Sequence, residues 1–68
     1  MMNDNTIRDE ISRLLTVRKK LKEGDYLTSR EEENVSMILG IHKFKNTKEM
    51  ETRIDEFFDW ASEMLKRQ

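Results

Sequence analysis

A side chain that can exchange protons near neutral pH occurs once in this sequence, at His42, and cysteine does not occur at all. His42 lies on or near an apolar helical face, and no carboxylate stands at a spacing that would orient it as a general base. It therefore reads as a packed or helix-end histidine. Without cysteine, a zinc site of the ordinary Cys/His kind lacks its ligands, and no disulfide can form. The chain carries no glycine-rich phosphate loop, no HExxH helix and no calcium-loop pattern. Glu31, Glu32 and Glu33 resemble an ion-binding run, but three acids in the first turn of a helix are favoured by its dipole alone. The expectation is a protein that is not an enzyme and needs no metal or cofactor.

What remains is the chemistry of recognition. Glu51, Asp55, Asp59 and Glu63 recur every fourth residue, which puts four carboxylates in one row on a helix. Like charges at that spacing repel by a few tenths of a kcal/mol per pair. The row is then either an ordinary solvated face, relieved by local cations and by the basic end of another helix, or a surface for a basic partner. Arg18, Lys19, Lys20 and Lys22 crowd the end of a helix, where cations suit the dipole. A phosphate-binding patch is the sharper reading of these four. It lacks interleaved aromatics and a second basic helix, so nucleic acid is poorly supported. Trp60 falls at the margin of an apolar stripe, as an edge cover for the core or as a contact anchor.

Three amphipathic segments must position these groups. The first, near 6–23, begins at Asn5 or Thr6 as a cap, carries Ile7, Ile11, Leu14, Leu15 and Leu21 on one stripe, and stops at Gly24. Gly24 to Thr28 is short enough to make the first two helices antiparallel neighbours, with Tyr26 and Leu27 closing one end of the core. Ser29 with Glu32, or Thr28 with Glu31 one residue earlier, has capping-box spacing. The second helix is expected near 29–44. It would present Val35, Ile38, Leu39 and His42 on one face and Met37, Ile41 and Phe44 on another, although Gly40 could end it early. Asn46 with Glu49 repeats the cap pattern. A third helix near 47–66 buries Met50, Ile54, Phe57, Phe58, Ala61 and Leu65. The fold class is all-α, a small three-helix bundle forming one domain over 1–68.

At 68 residues the core is barely adequate, and tight packing or self-association is the available reinforcement. Thirteen basic and 14 acidic residues nearly cancel, so any electrostatic partner must read a local patch. The polar N-terminus lacks the apolar segment of a secretion signal, and no run approaches the roughly 20 apolar residues of a membrane span. A cytoplasmic location without membrane contact is the resulting expectation.

These features favour a protein-binding module, a small inhibitor, adaptor or regulator of a larger protein. A phage or mobile-element protein that disarms a host factor is one such context. The partner-facing residues would be Met37, Ile41, Phe44, Trp60, Glu51, Asp55, Asp59 and Glu63. The alternatives are a homodimer or larger oligomer closed by the extra apolar stripe, and a weak binder of nucleic acid or of an anionic ligand through Arg18, Lys19, Lys20 and Lys22.

Overall fold

The computed structural model describes residues 4–67, and side chains from residue 5 onward. It contains three helices: α1 (Asp4–Glu23), α2 (Ser29–Leu39) and α3 (Thr47–Lys66). The globule measures 35 × 19 × 19 Å, and all three helices touch one another.

Helix α1 already includes Asp4, so Asn5 and Thr6 stand inside its first turn rather than capping it. Its far end closes as the sequence suggests. Gly24 takes a left-handed φ of 76°, its N–H bonds to the Leu21 carbonyl at 3.3 Å, and the Asp25 N–H reaches the Lys20 carbonyl at 2.9 Å. That pair of bonds satisfies carbonyls which the helix itself leaves open. At the start of α2 the earlier of the two cap candidates is the one formed. Thr28 accepts from the Glu31 N–H at 3.1 Å, and the Glu31 carboxylate accepts from the Thr28 N–H at 2.9 Å.

The end of α2 corrects the expectation of a helix to Phe44. It stops at Leu39, where Gly40 adopts φ 70° and ψ 21° and its N–H bonds to the Ser36 carbonyl at 2.8 Å. A left-handed residue costs glycine nothing, and stopping there frees the next residues to turn inward. Phe44 packs against the core cluster and Ile41 is half-buried, while Met37 stays 76% exposed. The supposed Met37, Ile41, Phe44 stripe is therefore not one helical face. Helix α3 spans the expected residues. Asn46 accepts from the Glu49 N–H at 2.8 Å, and Glu49 accepts from the Lys45 N–H at 3.0 Å.

Helices α1 and α2 are antiparallel: Lys20 meets Glu31 at one end, and Asp9 and Glu10 share a groove with Met37 and Ile38 at the other. The connection 40–46 then doubles back, because Asn46, Thr47 and Met50 line a cleft together with Glu32 and Ser36. Helix α3 thus starts beside the first half of α2, runs the same way, and lies antiparallel to α1. Leu14, Val17, Val35 and Ile54 form the buried centre, with Leu21, Leu27, Ile38, Leu39, Phe57 and Phe58 packed around it.

Three core assignments change. Val17 is fully buried and Leu15 is 50% exposed. Arg13, Val17 and Lys20 share an edge of α1 at helical spacing, and that edge faces α2. Leu15 is turned 100° from Leu14 to the opposite side. Tyr26, expected to close the core, is 95% exposed, and Leu27 does so alone.

Candidate functional site

The basic end of α1 divides into two pairs. Arg18 bonds to Asp55 of α3 at 2.7 Å, and Lys20 bonds to Glu31 of α2 at 2.7 Å. The Lys20 ammonium, with the Thr28 amide, holds the Glu31 carboxyl below its ordinary value. Each pair ties α1 to a different helix. The four ion pairs among the described residues leave out Lys19 and Lys22, which are exposed beside Leu15 in a shallow groove of about 480 Å³. Helical spacing assigns Leu15 to the core and so hides this groove; the 100° offset from Leu14 is the signal that could have revealed it.

The acidic row of α3 is also uneven. Asp55 is taken up by Arg18, and Glu51 is half-buried. Asp59 and Glu63, farther along, are exposed. Arg53 pairs with Glu56 at 2.9 Å, rather than with Glu49, whose carboxylate is already bonded to the Lys45 amide. The expected relief by the first helix is thus present, but it covers only the upper part of the row.

Trp60 lies between Asp59 and Glu63, one turn beyond Glu56. It is 44% exposed. Its ring packs on Phe57 at 5.6 Å with a 42° tilt, and Phe57 meets Phe58 edge-on at 6.5 Å. Both phenylalanines rest on the core cluster. The indole is therefore held by rings anchored in the interior, and its exposed part is presented with little freedom.

No protein-family model, curated protein or solved structure matches the chain.

The remaining sequence-selected residues do not converge on this surface. Met37 borders a different groove, between α1 and α2, with Asp9, Arg13 and Asn34. In the same groove the Glu10 Oε1 atom is enclosed without a hydrogen-bond donor. Burial raises the Glu10 carboxyl above its ordinary value, neighbouring Asp9 adds to the rise, and Arg13 opposes it. His42 and Phe44 belong to the cleft at the start of α3, where His42 is exposed rather than packed. No group of three or more His, Cys, Asp or Glu side chains among the described residues converges as metal ligands would. No helix among the described residues is long and apolar enough to cross a membrane.

Proposed function

We propose that the protein is a non-catalytic binding module, an inhibitor, adaptor or regulator acting in the cytoplasm, whose recognition face is the outer side of α3 around Trp60. The observation that supports it most is the half-exposed indole backed by Phe57. Tryptophan on a rigid, partly desolvated site is the side chain most often found to dominate a protein interface. Asp59 and Glu63 are exposed near it in the helix, while Glu56 is already paired with Arg53, so the partner presents an apolar recess with a cationic rim. A factor that normally holds nucleic acid offers such a rim, and the open carboxylates of α3 would then compete with phosphates for it. The context of a phage or mobile-element protein acting on a host factor belongs with this reading. Direct nucleic-acid binding by α1 is less well supported, since Arg18 and Lys20 are already committed to carboxylates.

The test is capture of a partner from the native cell by the wild-type chain and by Trp60→Ala, with helicity followed by circular dichroism. Recovery should fall at least about tenfold, the scale of an anchor residue, while helicity holds. Equal recovery by the folded variant would remove Trp60 from the interface and the proposal with it.

A further inference from the structure

The molecule displays two apolar centres of opposite surroundings. On α3, Trp60 stands beside the open carboxylates of Asp59 and Glu63, with Glu56 already paired to Arg53; on α1, Leu15 shares its groove with Lys19, Lys22, the Asp55-paired Arg18 and Glu23. The second is what the first calls for, an exposed hydrophobic groove whose free charges, Lys19 and Lys22 against Glu23, leave a net cationic margin. The segregation runs along whole elements: α3 carries six acidic residues against three basic, and α1 six basic against four acidic. In one chain the two centres cannot meet. The α1 edge that bears Leu15 lies on the far side from α2. Trp60 projects from the edge of α3 that Phe57 shares, away from Asp55 and its partner on α1.

The geometry points to a second copy of this chain as an occupant of the Trp60 face, docking its Leu15 groove there head to tail. The contact joins two different surfaces, so each bound copy still offers one free face of each kind, and association continues until a ring closes or the concentration limits it. Attraction comes from both apolar burial and opposed charge, so it weakens as salt shortens the screening length. The inference rests on the reading of the Trp60 face as a docking surface. It adds that self-association and capture of a foreign partner compete for that face.

The experiment is light scattering after gel filtration, with protein at about 0.1–1 mM and an ionic strength near 0.01 M, where screening reaches roughly 30 Å. Two charge-reversed chains are compared with the wild type, Lys19→Glu with Lys22→Glu, and Asp59→Lys with Glu63→Lys. All four positions are exposed, so the fold is retained and helicity checks it. The wild type should exceed the monomer mass and fall back towards it near 1 M salt, where screening shortens to roughly 3 Å. Each reversed chain alone should stay monomeric, because its two centres now carry the same sign. Mixed in equal amounts they should associate again, since the cationic face of one matches the anionic groove of the other. A monomeric wild type under these conditions, or a mixture no heavier than its components, overturns the inference. If partner capture still depends on Trp60 in that case, the docking surface stands and only its second occupant is lost.

Discussion

The buried centre of this bundle and the outer margin of α3 contain large apolar side chains and treat them differently. Where α2 lies across α1 and α3, Leu14, Val17, Val35 and Ile54 are all buried to within 1%. Along the second half of α3, Ala61 is buried, but Met64 and Leu65 remain half-covered and Trp60 is 44% exposed. The cause is position around the helix, since α2 reaches the first turns of α1, where Met37 and Ile38 share a groove with Thr6 and Asp9. Trp60 stands six residues from Ile54, about 120° around α3 from the centre of its buried stripe. Tryptophan has more apolar surface to hide than valine, yet valine is the one enclosed. The face a residue occupies decides burial here, and the size of the side chain does not.

The sharpest way to break this comparison is to truncate one residue in each region. Ile54→Ala should cost about 2–4 kcal/mol, enough to leave much of so small a domain unfolded, whereas Trp60→Ala should cost less than half as much because its indole is only partly enclosed. Urea titration followed by circular dichroism measures both. Similar losses at the two sites would show that the margin of α3 is as well packed as its centre.

A smaller effect tests why α2 is short. Gly40→Ala meets no atom within 4 Å of the added carbon, so its cost is the left-handed backbone alone, about 1–2 kcal/mol of destabilisation. Had the helix run on to Phe44, the same change would add about 1 kcal/mol of stability by replacing a helical glycine. The sign of the shift in midpoint therefore separates the two structures.

The smallest effects are pH-dependent and opposite in sign at two glutamates. Glu10 has a raised carboxyl, so its favourable contribution is complete below the ordinary value of 4.5 and disappears as pH rises through the raised value. Glu10→Gln should accordingly stabilise the protein at pH 7 by up to about 1 kcal/mol, and the gain should vanish in acid. Glu31 has a lowered carboxyl, so its contribution is present above 4.5 and is lost as pH falls through the lowered value. Glu31→Gln should flatten that acid limb. Thermal unfolding of both variants from pH 3 to 7 tests the assignment, and a Glu10→Gln chain no more stable than wild type at pH 7 contradicts the Glu10 half.

Much of this molecule was legible along the chain because it depends on neighbours in sequence. Cap spacing located Asn46 and narrowed the start of α2 to Thr28 or Ser29, and helical periodicity found Ile54, Ala61 and the margin position of Trp60. The exposed part of the acidic row was visible in the same way. Other features depend on where separate segments meet. Periodicity placed Leu15 in the core and missed Val17, since a stripe says nothing about which of its edges a partner helix will cover. Ile41 and Phe44 looked like continued helix because apolar spacing persists past Gly40.

What the amino acids determined by themselves is the local conformation: three helices, their caps, and the charge each carries, because hydrogen bonds and dipoles a few residues apart set them. Only the tertiary structure decided which charges were used up and which apolar groups stayed outside. Lys20 finds Glu31 because the turn 24–28 sets α2 antiparallel to α1, and Arg18 finds Asp55 because the connection 40–46 folds back and sets α3 antiparallel to α1. Lys19, Lys22, Asp59 and Glu63 remain on the surface because that same arrangement brings no opposite helix to them.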